Sequence, residues 1–178
     1  MEAIGILMVE HRLIERMVSL LKKEIDNDEL QHTANPAFIY SAVDFFRTYA
    51  DRLHHGKEEG ILFRDLAKKR LEPAHKAMLD QLVGEHKIAR EEVKALHEAA
   101  QRYEKGDMDA IEHIITHLKR LVVLYPPHIH NEDQHFFLLV REYFSEDERK
   151  AMLEECYEFD RKLTHEKYKS VVEQYEKP

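Results

Sequence analysis

Four stretches of this chain carry apolar residues at alternating steps of three and four, and each of these stripes is interrupted by histidine, in two cases with glutamate beside it. The stripes run Leu7, His11, Ile14, Val18, Leu21, Ile25; then Val43, Phe46, Ala50, His54, Glu58, Ile61; then Leu79, Leu82, His86, Ala89, Val93, Leu96, Ala100, Tyr103; and last Ile111, Ile114, Leu118, Leu121, Tyr125, His128, Glu132, Phe136. That spacing is one face of a helix. Four such faces bury themselves by packing on one another, and the interrupting polar groups are carried inside with them.

Local signals mark the ends. Asn35 offers a cap and Pro36 a first-turn residue for the second helix, the third begins near Pro73, Gly106 stops it, and Asp107 is the next cap. Pro126 and Pro127 lie inside the fourth stripe and predict a kink, since neither can donate its amide. Ser145 through Glu148 reads as a capping box. It opens a fifth segment with Leu153, Tyr157, Leu163, Tyr168 and Val172 that packs outside the others. Five glycines and five prolines in 178 residues are too few for a sandwich of short strands. The fold expected is all-α: an antiparallel up-down-up-down four-helix bundle over about residues 5–144, with an additional C-terminal helix over about 145–176, in a single domain of residues 1–178.

A net charge of -8 disfavours a phosphate-backbone binder, so nucleic acid is not an expected partner. No apolar run approaches the roughly 20 residues that span a bilayer, and Met1 leads into an amphipathic helix with Glu2 and Glu10 rather than a basic leader. The single cysteine, Cys156, can form no intrachain disulfide and suits a reducing compartment. A cytoplasmic protein with no membrane partner is expected.

The polar interruptions repeat. Glu10-His11 recurs as Glu85-His86, offset by 75 (11 to 86), and His54-x-x-x-Glu58 recurs as His128-x-x-x-Glu132, offset by 74 (54 to 128). A spacing of four stacks both side chains on one helix face. In a bundle His11, His54, Glu58, His86, His128 and Glu132 converge at one level of the core, where unpartnered polar groups cost ~1–3 kcal/mol each. A metal cluster removes that conflict. The set lacks the thiolates of a structural zinc site and has too much imidazole for calcium or magnesium, so two iron ions with bridging glutamates suit it best.

The Glu-His start, the segment His54-His55-Gly56-Lys57-Glu58-Glu59-Gly60-Ile61-Leu62-Phe63, the second Glu-His and the segment from His128 to Phe137 resemble the hemerythrin-like, or HHE cation-binding, domain over roughly residues 7–143. The resemblance implies a non-haem di-iron centre, oxo- or hydroxo-bridged, with His11, His54, Glu58, His86, His128 and Glu132 as ligands. It implies dioxygen, nitric oxide or peroxide as the small partner, with a redox partner protein, in sensing, stress response or iron handling. Hemerythrin-type oxygen carriers have a second histidine one turn from the first on the third helix, whereas His86 here is flanked by Leu82 and Arg90. Two other readings compete: an oxygen or iron carrier or storage module without catalysis, and a helical interaction domain stapled by metal.

Within the site, His55 and Glu59 have the same spacing as His54 and Glu58, but Asp51, Thr48 and Asp44 on that face predict solvent, which favours His54 and Glu58. Asp133 competes with Glu132, and the repeat favours Glu132. His135 falls on the inward row at the position matching Ile61 and is expected to be partly buried. His32, His75, His97, His113, His117, His130 and His165 have no matched partner and read as surface residues. Gly56 and Gly60 inside a helix point to a close helix approach or to space for a ligand near Glu58.

Overall fold

A computed structural model describes residues 2–176, with the side chains of 29–31, 168 and 170–176 outside the description. All regular structure among the described residues is helical. Helix α1 spans Ala3–Gln31 and buries Leu7, Ile14, Val18, Leu21 and Ile25, the predicted stripe, while Arg12, Arg16 and Ser19 face solvent. Each fully buried Leu or Ile contributes ~1.5–3 kcal/mol, so the stripe decides which way the helix faces.

Helix α2 covers residues 36–66 and starts as predicted: the Asn35 side chain accepts from the Phe38 amide at 3.2 Å and Pro36 occupies the first turn. Its interior departs from α geometry. The turns widen to π over Phe46–His55 and Glu58–Phe63. Helix α3 spans Pro73–Glu104, and the chain then turns through Gly106 at φ 95°, a left-handed conformation that costs a side chain but not glycine.

Helix α4 runs over Ala110–Asn131, widens to π over Glu132–Phe136 and resumes over Phe137–Val140. The Asp107 carboxylate accepts from Arg102 Nε at 2.8 Å, which holds it below the usual carboxylate range together with hydrogen bonds from the Asp109 and Ala110 amides, so it caps the turn that leads into the helix at Ala110. The α-helix continues through Pro126 and Pro127, and the widened turn begins further on, at Glu132.

Helix α5, Glu146–Glu176, opens with the predicted capping box: the Glu148 amide donates to Ser145 Oγ at 3.3 Å and the Ser145 amide to the Glu148 carboxylate at 2.8 Å. Its buried face is Met152, Cys156 and Leu163. Tyr157, expected on that face, is 48% exposed, because the row through Met152 and Cys156 takes the contact. Tyr168 and Val172 lie outside the described side chains.

Helix α4 packs against both α1 and α3, α2 packs against α3, and α5 lies on α1 and the widened part of α2. The apolar interior divides in two. One cluster holds Ile14, Val18, Leu21, Ala50, Ala89, Leu96, Leu118 and Ile129; the other holds Leu7, Ile61, Leu62, Leu82, Phe136, Phe137, Met152 and Cys156. On every helix from α1 to α4 the polar interruption falls between a residue of one cluster and a residue of the other. A polar layer therefore crosses the core between two apolar ones.

Candidate metal centre

His11, His54, Glu58, His86, His128 and Glu132 all lie in that layer and all are buried. Their free atoms converge. Nε2 of His11, His54, His86 and His128 and both carboxylate oxygens of Glu58 and Glu132 are buried without a hydrogen-bond partner among the described residues. Such an arrangement costs folding free energy on its own, ~1–3 kcal/mol per orphaned group.

Two constellations have donor atoms lying within 4.8 Å of one another: His11, His54, Glu58 and Glu132, and beside it His55, His86 and His128. Glu58 reaches toward both, with Oε1 at 3.5 Å from His54 Nε2 and Oε2 at 3.4 Å from His86 Nε2. Glu132 Oε2 stands 3.2 Å from His11 Nε2 and 3.3 Å from His128 Nε2.

His55 is the correction to the expected set. Asp51, Thr48 and Asp44 suggested a solvated face, yet His55 is 1% exposed, stacked on His86 with ring centroids 3.8 Å apart, and neither of its ring nitrogens has a hydrogen-bond partner among the described residues. His55 ends the π turn over Phe46–His55. A wider turn sets adjacent residues at a smaller angle about the axis, and His54 and His55 both face inward; the equivalent pair His128 and Ile129 is buried too in an α turn, so the buried face at this level takes in both positions. The opposite correction applies to His135, which is exposed and meets the His130 ring edge-on instead of following Ile61 inward. Here too the turn is π rather than α.

Carboxylates outside the expected ligand set hold the imidazoles in place. His54 Nδ1 donates to Glu10 at 3.0 Å, His86 Nδ1 to Glu59 at 2.7 Å, His128 Nδ1 to Glu85 at 2.7 Å, and His11 Nδ1 to Asp133 at 2.8 Å. These pairs form a closed ring from helix to helix: α1 supports α2, α2 supports α3, α3 supports α4, and α4 supports α1. Each bond places the ring proton on Nδ1 and leaves the Nε2 lone pair facing the core, the tautomer a metal requires. The repeated Glu-His pairs thus contain two functions. The histidine turns inward and the glutamate before it reaches the neighbouring helix. Asp51 lies 3.4 Å from His55 Nδ1, so that fifth imidazole is held less closely.

A second layer of donors stands behind the carboxylates. Arg12 pairs closely with Asp133, Arg90 donates to Glu59 at 2.8 Å, and Gln81 donates to Glu85 at 2.8 Å. Lys57, fully buried, pairs closely with Glu10 and reaches Asp160 of α5 at 2.7 Å. Gly56 makes room for that helix, since a Cβ there would meet the Phe159 ring at 2.9 Å, whereas a Cβ at Gly60 would meet nothing within 4 Å.

Burial sets the protonation states of the metal-free core. It pushes His54 and His55 well below the ordinary imidazole range, and His11 and His86 below it despite their carboxylate partners. Neutral imidazoles are what a cation needs as ligands. Burial also raises Glu58 and Glu132 well above the usual carboxylate range, and the charge of Glu58 raises Glu132 further. A divalent cation reverses that penalty by supplying the opposite charge.

The hemerythrin HHE cation-binding domain model matches residues 2–140. The chain belongs to that family, and its buried His/Glu groups are ones that can hold a metal cation. Helix α5 lies beyond the matched segment. No curated protein and no solved structure matches the chain. No helix among the described residues is long and apolar enough to cross a membrane.

Proposed function

We propose that the polar layer is a non-haem di-iron centre that binds or reacts with dioxygen, nitric oxide or peroxide. In this reading His55, His86 and His128 would hold one iron, His11 and His54 would hold the other, and Glu58 and Glu132, which face both groups, would be shared between them. The observation that carries it is the convergence of unpartnered imidazole nitrogens and four unpartnered carboxylate oxygens in a buried layer. Two carboxylates and five imidazoles exceed the donors a single tetrahedral ion takes, and mixed oxygen and nitrogen ligation without thiolate suits iron. His55 supplies the fifth imidazole that α3 does not provide after His86.

Iron bound there supplies a redox-active Lewis acid able to accept a small exogenous ligand. The chain does the rest. Compared with His55, His86 and His128, a cation would be held with one imidazole fewer by His11 and His54. Glu10 and Asp133 orient those two rings, and the flanking apolar clusters exclude bulk water. The proposal includes an antiparallel up-down-up-down course for α1 to α4 as one domain, supported by the short connections and the ring of cross-helix pairs. It also places the protein in the cytoplasm, with Cys156 as a free thiol that burial raises to about 11.

The test is anaerobic loading with ferrous iron, metal analysis and optical spectra before and after each small ligand. About two iron atoms per chain are expected, with a spectrum that changes on exposure to dioxygen or nitric oxide. One tightly held zinc and no iron after iron-replete expression overturns the reading. A carrier cycles reversibly through repeated oxygenation, and an enzyme consumes its ligand.

A further inference from the structure

Between α2 and α3 lies a cavity of about 350 Å³ that the di-iron reading does not use. It reaches inward to His55 and to Tyr125, which is 3% exposed, and its walls are the apolar side chains of Phe46, Ala89 and Val93. The remaining lining is charged: Arg47, Arg90 and Lys94 against a single carboxylate, Asp51. Asp51 accepts from Arg90 Nε at 2.7 Å, so it is already paired. Arg47 and Lys94 stand at the exposed mouth, Lys94 with a long 3.9 Å contact to Glu98 as its one ion pair among the described residues. A chain with a net charge of -8 thus surrounds one apolar cavity with an excess of positive charge.

The internal repeat indicates that this is a local feature rather than a consequence of the fold. Subtracting 75 from positions 89, 90 and 93 gives Ile14, Glu15 and Val18 on α1, and adding 74 to 55 gives Ile129 on α4. There Ile14, Val18 and Ile129 are buried in the same apolar cluster. On the cavity side Ala89 stands for the bulkier Ile14, Arg90 for Glu15 and His55 for Ile129. The changes that remove volume and those that add positive charge occur at one place.

We infer that this cavity is a binding site for a small organic anion whose apolar body of about ten heavy atoms lies on Phe46, Val93 and Tyr125 and whose charge is held by Arg47 and Lys94. A cavity of this size, apolar with a few convergent polar groups, is at the small end of ligand pockets and larger than a diatomic needs. Burial raises the Tyr125 hydroxyl, which keeps it a neutral donor inside the cavity. The ligand would lie against His55 and the Arg90–Asp51 pair, and its binding would be felt by the ring stacked on His86.

The probe is 4-fluorobenzenesulfonate, an aromatic anion that is a poor metal ligand, titrated into the purified full-length chain and followed by fluorine NMR. Saturable binding with Kd below about 1 mM is expected, weakening as salt is raised. 4-Fluorobenzyl alcohol, the neutral counterpart, should bind at least about tenfold more weakly. Exchanging both cations at the mouth, R47E with K94E, should weaken the anion at least about tenfold while leaving the alcohol unchanged. Ala89→Phe fills the cavity and should abolish both. If Ala89→Phe fails to fold, the double charge exchange on the exposed mouth decides alone. No saturable shift to about 10 mM, or anion binding unaltered by the charge exchange, overturns the inference. The readout requires no bound metal, so a failure of the di-iron reading leaves this result interpretable.

Discussion

The two halves of the molecule supply matching histidines and glutamates, yet they treat the residue after the helix histidine differently. In the first half a long π segment, Phe46–His55, brings both His54 and His55 into the core; in the second, His128 faces inward and Ile129 joins the apolar cluster. The backing also differs. Glu10 in the first half is paired with a buried lysine tied to α5, while Glu85 in the second takes a neutral glutamine. A repeat can therefore specify a symmetric frame, and departures from it then make the two groups of donor residues unlike.

Removing the shared element should have the largest effect. Glu58→Ala and Glu132→Ala should each reduce bound iron from about two atoms per chain to about one or none, since each takes away a carboxylate that faces both constellations. Metal analysis checks this, and retention of two irons by both variants breaks the bridging assignment. His55→Ile makes the first half match the second at that position. It should remove iron selectively from the three-imidazole position, leaving about one per chain, and Ile129→His should not restore it because that side chain lies in the apolar cluster and not in the place where His55 stacks on His86. Equal loss from both positions would show that the halves are not distinguished by His55.

Smaller effects belong to the ring of supporting carboxylates. Glu59→Ala and Asp133→Ala should each lower metal affinity about 10–100-fold, measured by competition with a chelator, because each frees an imidazole from its orientation. The Glu10→Ala variant also takes from buried Lys57 one of its two carboxylate partners, leaving Asp160 alone, so it should additionally lower the melting temperature of the metal-free chain. Wild-type affinity in all three would reduce the ring to packing.

The smallest effect lies far from the site, where Asp28 in the first half corresponds to Tyr103 in the second. Burial raises the Asp28 carboxyl from 3.8 to about 7, with Glu24 adding to it. A carboxyl raised on folding contributes stability that is complete below its unfolded value of 3.8 and is lost as pH rises through about 7. Asp28→Asn should therefore raise the melting temperature at pH 8 by about 2–4 °C and by less at pH 5. An equal change at both pH values would place the benefit elsewhere.

Much of this was legible without coordinates. The stripes predicted the buried faces of α1 to α4, Asn35 and Ser145 marked their helix starts, and the offset pairs located the polar layer, because periodicity and capping depend on residues within one turn. The match of residues 2–140 to the hemerythrin HHE family agrees with the resemblance those motifs carried. What was misread depended on helix geometry that no periodicity signals. The faces of an ideal α-helix put His55 outward and His135 inward, whereas in these π-containing segments His55 is buried and His135 is exposed. Spacing makes Glu59 and Asp133 competitors of Glu58 and Glu132, whereas each supports a histidine on the adjacent helix.

By itself the sequence determined that helices would form, which stripe each would bury and which polar groups would be carried inside, since these follow from side-chain spacing and the cost of exposing apolar area. Only the tertiary structure decided that Glu10, Glu59, Glu85 and Asp133 would each orient a histidine on the next helix, and that His55 would join the core while Ala89 and Val93 left a cavity beside it. The reason is physical. Those relations are distances across helix interfaces, set by turn width and packing, and nothing in the order of residues along one helix encodes how closely its neighbour will approach.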